Sequence, residues 1–453
     1  MDFRLNDDEI LTFIARGYHI FHPAIDADIH RAVCAQTRAA FVQAKNPGNA
    51  IYERVPALAQ VLSHPQVVGA LTSILGADYH MLCHRHAHLT QPGQAAGGFH
   101  QDGTPRTLRG WTRPWRYGHR PRKVLLVYFP HAVPKESGPT TLVPGSQYYW
   151  QRPEAMEALE CGIEGEAGVM AICHFSSWHR AGANTSGTER IMLKFVFDRR
   201  GEPREPNWKA AASYNPDFAA TARQWSALPD GRLLRLPKTW QTMWNWLRGR
   251  GAERLGGTAS LASLFQGLAS DQEHEAIEAA YGLGGQIDAD GARTLVARMH
   301  HGDEQEREMA AVALSAAGRV AVDALRETLT DPDPWLRATA ADIAGDLGRE
   351  SLALIPDVEC ALGDADVWVR HNALQALALW GREARGAEER VVETLTDAEP
   401  FVRFNALGAL MSMGPLDARC AEWFKHVAAT DEAHPQWRAQ DALSRWDNAE
   451  LRY

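Results

Sequence analysis

The segment Gly98-Phe99-His100-Gln101-Asp102-Gly103 places a histidine and an acid two residues apart. On a strand that spacing aims both side chains at one face. A third ligand has to come from a distant part of the chain, and residues 176–195, SSWHRAGANTSGTERIMLKF, supply it: His179 precedes a loop and then an apolar strand. Two imidazoles and one carboxylate can fill one triangular face of an octahedral Fe(II) and leave three positions open for a cosubstrate and O2. Eleven residues beyond His179 stands Arg190. A dicarboxylate such as 2-oxoglutarate chelates a metal at one end and needs a buried cation at the other. A guanidinium fork meets that carboxylate with two parallel hydrogen bonds, a geometry that lysine lacks.

Two further groups of residues bear on chemistry. His84, His86 and His88 alternate in MLCHRHAHL, so on a strand they share a face. They either line a pocket, touching cosubstrate or substrate, or form a polar, half-solvated strand face. The stretch from Gly103 to Lys123 carries Arg106, Arg109, Arg113, Arg116, Arg120 and Arg122, with Trp111 and Trp115 interleaved and no acid between Asp102 and Glu136. Because it follows a candidate ligand directly, it is expected to border the mouth of the site. A basic, aromatic rim favours an anionic substrate; the alternative is a solvated loop.

These residues need a strand-rich scaffold, and residues 1–215 read as one. Short β-like runs, Lys123–Phe129 (KVLLVYF) and Ile191–Phe197 (IMLKFVF), alternate with loops rich in Gly and Pro. Val143-Pro144-Gly145 marks a turn before Ser146. The chain opens with a helix: Asn6 is a candidate N-cap, Asp7, Asp8 and Glu9 suit the first turn, and Ile10, Phe13 and Ile14 form an apolar stripe. Antiparallel strands need cover or closure at their edges, and a double-sheet jelly roll provides it. Residues 216–265, with Trp225, Trp240, Trp244 and Trp246, read as a helical linker without catalytic signal.

Residues 266–453 read as a repeat array. DPDPWLRATAADIAGDLG, DADVWVRHNALQALALWG and DAEPFVRFNALGALMSMG start at Asp331, Asp364 and Asp397, and their arginines, 337, 370 and 403, are 33 residues apart. Apolar columns at matching offsets mark one helix face. Asp333 and Asp366 are natural N-caps, Pro334 and Pro400 suit the first helical turn, and Gly348, Gly381 and Gly414 should end the helices. A second helix follows each first one, and fainter copies begin near Asp271 and Asp303. One hairpin cannot bury its apolar face alone, whereas stacked copies make an α-solenoid. The array resembles HEAT repeats, whose role is either scaffold or a concave surface for a protein partner.

Residues 1–215 resemble the phytanoyl-CoA dioxygenase family in LNDDEI and GYHIFHP near the start, HQDG at 100–103, SGPTTLVPGSQ at 137–147 and WHRAGANTSGTER at 178–190. The resemblance implies an α+β domain built on a double-stranded β-helix of the cupin type. It also implies His100, Asp102 and His179 as iron ligands, Arg190 as the 2-oxoglutarate anchor, and a dioxygenase. Halogenating relatives replace the carboxylate with a small residue, so Asp102 points to hydroxylation of a small or carrier-bound substrate. His174 departs from the family, standing where relatives often carry an acid, and is the alternative distal ligand. The rival readings are an interaction scaffold with an inactive oxygenase domain, or an oxygenase acting on a protein recruited by the repeats.

Bulk composition narrows the rest. A formal net charge of -9 argues against bulk nucleic-acid binding. Six cysteines without a C-x-x-C pair suggest neither a disulfide framework nor a thiolate zinc site. The acidic opening, MDFRLNDDEI, lacks the apolar run of a leader. No stretch of ~18 apolar residues suggests a membrane span. The expectation is a soluble, cytoplasmic protein.

Overall fold

The structure is a computed structural model that describes residues 2–102, 119–251, 259–414, 418–431 and 433–447. The expected basic rim of Arg106, Arg109, Arg113 and Arg116, with Trp111 and Trp115, lies outside the described residues. The chain divides into two compact units. The first runs to Arg199 and includes Glu205–Leu247; the second holds Arg200–Arg204 and Arg248–Tyr453.

In the first unit, helix α1 (Asp7–Arg16) forms where the sequence places it. The Asn6 side chain accepts from the backbone N–H of Glu9 while the Glu9 carboxylate accepts from that of Asn6, a capping box that satisfies two otherwise orphaned donors. Gly17 ends the helix in the left-handed region. Eight strands follow among the described residues: β1 (Tyr18–Phe21), β2 (Tyr79–Thr90), β3 (Lys123–Tyr128), β4 (Thr140–Leu142), β5 (Cys161–Gly162), β6 (Met170–His174), β7 (His179–Ala181) and β8 (Arg190–Arg199). They form two antiparallel sheets, one in the order β1-β6-β3-β8-β2 and the other β5-β4-β7. Between β1 and β2 the chain is helical, beginning with α2 (Ala27–Gln43).

The core between the sheets joins Leu125, Val127, Ala171, Cys173, Met192 and Val196 of the large sheet to Leu142 of the small one. Alternate residues on those strands therefore face the opposite layer. At the turn after β4, Gly145 adopts φ +77°, and a side chain there would strike Leu234, so the expected turn has a steric reason for its glycine. The tryptophan-rich stretch is helical at Phe218–Ser226 and Pro237–Leu247 and belongs to the first unit. Trp240 and Trp244 are buried there.

The second unit is all-helical among its described residues. Helices Pro334–Leu347, Val367–Trp380 and Pro400–Met413 are the first helices of successive repeats, and Glu273–Gly284 and Glu304–Ala316 match the fainter copies. Asp333 and Asp366 cap their helices by accepting from the N–H groups of Trp335 and Trp368. Gly348, Gly381 and Gly414 stand at the C-termini with positive φ. Among the described residues no helix is long and apolar enough to cross a membrane.

Candidate metal centre

His100 and His179 meet across an isolated antiparallel bridge in which each backbone N–H donates to the other residue's carbonyl at 3.0 Å. Directly opposed residues project to the same side, and the two rings lie 4.4 Å apart. The His100 Nδ1 is 3.0 Å from the Gly98 carbonyl and the His179 Nδ1 2.9 Å from the Ser177 carbonyl. A carbonyl only accepts, so in each neutral ring Nδ1 carries the hydrogen and Nε2 keeps its lone pair. Both Nε2 atoms face Asp102, at 3.8 Å from Oδ1 for His100 and 3.9 Å from Oδ2 for His179.

One ligand atom from each of His100, Asp102 and His179 lies within 4.8 Å of the others. The donor set, two imidazoles and a carboxylate without thiolate, suits Fe(II). His179 is buried while His100 is exposed, so the cluster is closed on one side and open on the other. Burial drives the His179 ring down to about 4, against the pull of Asp102, and keeps it neutral as a ligand must be. At Asp102 burial works upward, but Lys194, His179 and His100 outweigh it and hold the carboxyl below its ordinary range.

β8 delivers two cations to this cleft. Met192 lies in the core between the sheets, so Arg190 and Lys194, two residues to either side, face inward with it. Arg190 is 1% exposed. Its Nη2 donates to Thr90 Oγ1 at 2.5 Å, while Nε and Nη1 are buried with no hydrogen-bond partner among the described residues. No carboxylate pairs with it among the described residues. Burial lowers its pKa to about 10, and it remains a cation at neutral pH. Lys194 donates from Nζ to Asp102 Oδ2 at 2.9 Å.

The histidine row also faces inward. β2 pairs with β8 in a register that sets Thr90 against Arg190, His88 against Met192 and His86 against Lys194. The rings of His84 and His86 lie 4.7 Å apart, and those of His86 and His88 6.1 Å. His84 and His88 are solvent-exposed, yet enough protein surrounds them that burial, followed by the Lys194 charge, brings them to about 3 and about 4. The row thus shares the face of the β2–β8 pair that carries Arg190 and Lys194, and it is partly open to solvent.

His174 lies elsewhere. Its neighbour Cys173 faces the core, so the His174 ring takes the opposite face of β6, where Nδ1 accepts from the Ser176 N–H at 3.2 Å. It is outside the His100, Asp102, His179 cluster. Lys194 was not singled out from sequence. Its signal was a lone cation inside the apolar run IMLKFVF, at an even spacing from Arg190.

Comparison with known proteins accords with this architecture. Residues 8–192 match the phytanoyl-CoA dioxygenase (PhyH) family and residues 355–444 match HEAT repeats. The chain thus carries a PhyH domain followed by HEAT repeats. Two curated relatives, the uncharacterized proteins Rv1501 of Mycobacterium tuberculosis and Mb1539 of Mycobacterium bovis, are each 27% identical over 144 residues, covering 31% of this chain. The chain spans about half the length of these relatives, 48%. Among solved structures, the non-heme alpha ketoglutarate dependent carbocyclase SnoK from nogalamycin biosynthesis is 17% identical, with 44% of this chain and 85% of that one covered and a TM-score of 0.35. The epimerase SnoN in complex with Fe3+, alpha ketoglutarate and nogalamycin RO is 15% identical, with 43% and 83% covered and a TM-score of 0.36.

Proposed function

We propose that the protein is an Fe(II)- and 2-oxoglutarate-dependent dioxygenase that hydroxylates a C–H bond of a small or carrier-bound substrate. The observation that carries this reading is the His100, Asp102, His179 cluster, tied through Lys194 to the same face of β8 as a buried guanidinium, Arg190, two of whose donor atoms lack partners among the described residues. Uncompensated buried cations are costly, and a cosubstrate carboxylate would compensate this one.

Bound iron with 2-oxoglutarate and dioxygen would supply the oxidation, one oxygen atom of dioxygen entering succinate as carbon dioxide is lost and the other entering the substrate. The chain's own residues do the positioning. His100, Asp102 and His179 would hold the metal, the tautomers of the two histidines being fixed by the carbonyls of Gly98 and Ser177. Arg190, steadied by Thr90, grips the far carboxylate of the cosubstrate. Met192 and Val127 keep the inner wall dry, and the open side at His100 admits the substrate. Asp102 fills the position that halide would need, which favours hydroxylation. The HEAT repeats are read as a surface for a protein partner. The net charge speaks against nucleic acid as one, and we place the protein in the cytoplasm.

Incubating the full chain with Fe(II), 2-oxoglutarate and oxygen tests the reading. Succinate should form and should cease on chelation of the metal. A chain that neither takes up iron nor makes succinate would instead be an interaction scaffold.

A further inference from the structure

The cleft beside Asp102 has more polar groups than a metal and its cosubstrate use. We infer that His84, His86 and Lys194 form a subsite for an anionic group of the substrate, a carboxylate or a phosphate monoester, next to the metal; this rests on the oxygenase reading above.

The register of β2 and β8 divides the cleft lengthwise. Arg190 and Thr90 mark one end, and Lys194 with His86 sits four residues along β8, opposite Asp102. At ~3.3 Å per strand residue that is ~13 Å, a lane for a short dicarboxylate between the Arg190 side chain and the metal. His84 lies beyond Lys194 on the side away from Arg190, outside that lane. It stays in the same cleft, because its ring contacts His86 and is influenced by both Lys194 and Asp102. Its solvent exposure leaves this end of the β2 face, beyond the lane, open to an entering molecule.

Charge sets the class of ligand. The imidazoles are held neutral by burial, so they give and accept hydrogen bonds without charge. Lys123, at the same end of the sheet, is paired with Asp198 at 3.4 Å. Lys194 has Asp102 as its counter-charge. Once a dication shares Asp102, that ammonium is left without a full counter-charge, and an anionic oxygen on the substrate supplies it. Imidazole N–H groups on the adjoining strand complete the coordination of such an oxygen. A cationic substrate would meet both the metal and Lys194 and be repelled.

The test uses the full chain loaded anaerobically with Fe(II) and 2-oxoglutarate, whose visible charge-transfer absorption reports that metal and cosubstrate are in place. Hexanoate, hexyl phosphate and hexanamide are then titrated by calorimetry. The two anions should bind at least tenfold more tightly than the amide, and the pair distinguishes a carboxylate from a phosphate preference. Lys194→Met, and separately the double change His84→Phe with His86→Phe, should abolish that preference in chains that still develop the absorption. Equal binding of all three probes to the parent chain would overturn the subsite, as would an anion preference that survives both variants. Loss of the absorption in both variants would assign these side chains to metal or cosubstrate and overturn it too. If the parent chain shows no absorption at all, the oxygenase reading fails and the subsite falls with it.

Discussion

Arg190 is a charge shut away from water with part of its hydrogen-bonding capacity unmatched. Such a group weakens the fold unless a ligand completes it. Stability and binding should therefore respond in opposite directions. Arg190→Met is expected to raise the melting temperature of the ligand-free chain, or leave it unchanged. The same change should weaken 2-oxoglutarate binding by ~100-fold, the loss of about 3 kcal/mol in charge-assisted hydrogen bonds. Arg190→Lys should recover only a fraction of that, since it restores charge but not the fork. Calorimetric titration and a thermal melt on the same samples check both halves; a variant that is both less stable and unimpaired in binding would count against the assignment. At this scale the sequence was readable where spacing alone decides. His100 and Asp102 do converge, but by a different route from the expected strand face: His100 forms an isolated bridge and Asp102 lies in the turn that follows it. An arginine in an apolar strand has few other uses. Lys194 escaped notice because its value comes from a contact with Asp102, 92 residues away in sequence, that no local pattern encodes.

Among the elements, the repeats are joined by a ladder of arginines. Arg337 forks onto Asp364 at 2.7 and 2.9 Å, Arg370 onto Asp397 at 2.7 and 3.1 Å, and Arg403 onto Asp431 at 2.5 and 2.6 Å. Each also donates from Nη1 to a carbonyl at the start of its own repeat, that of Asp331, Asp364 or Asp397. One side chain thus ties two helical hairpins together, which explains why arginine recurs every 33 residues. Arg370→Ala leaves the largely buried Asp397 uncompensated and should cost about 2 kcal/mol in denaturant unfolding; a loss below a few tenths would show the rung to be ornamental. The ladder also has an acid limit. Burial tends to raise the Asp364 carboxyl, but the hydrogen bond from Arg337 prevails and holds it below its ordinary 3.8. A carboxyl depressed in the folded state favours folding above its unfolded value, and that contribution is lost as pH falls through the folded one. The parent repeats should weaken below about pH 4, and Arg337→Ala should flatten that dependence. Helix boundaries were legible here because caps, prolines and glycines are local signals. The strand order β1-β6-β3-β8-β2 was not, because it joins residues far apart in sequence, and neither was the register shift between Met81 and Arg85 in β2.

For the whole molecule, the proposed metal and cosubstrate belong to the first unit and partner binding to the second. Ligands that bind only the folded state add RT ln(1 + [L]/Kd), ~2.7 kcal/mol at a hundredfold excess over Kd. Hydrogen exchange on the full chain should locate that gain. Adding a redox-inert divalent metal with 2-oxoglutarate is expected to slow exchange in β2, β7 and the start of β8, with helices Pro334–Leu347 and Val367–Trp380 unaffected. Protection centred on the repeats would contradict the division of labour. The architecture at this scale was open to reading because each unit has its own pattern, short apolar strands between loops rich in Gly and Pro in one and a 33-residue repeat in the other. The basic run after Asp102 remains a sequence expectation, since Gly103 to Gly118 lie outside the described residues. The most direct test of the central claim is an anaerobic titration of the full chain with Fe(II) and then 2-oxoglutarate, followed by visible absorption. The account predicts one iron per chain and a charge-transfer band that appears only when 2-oxoglutarate is added, and that is lost in His179→Ala. A parent chain that binds no iron, or a band undiminished in His179→Ala, would contradict it.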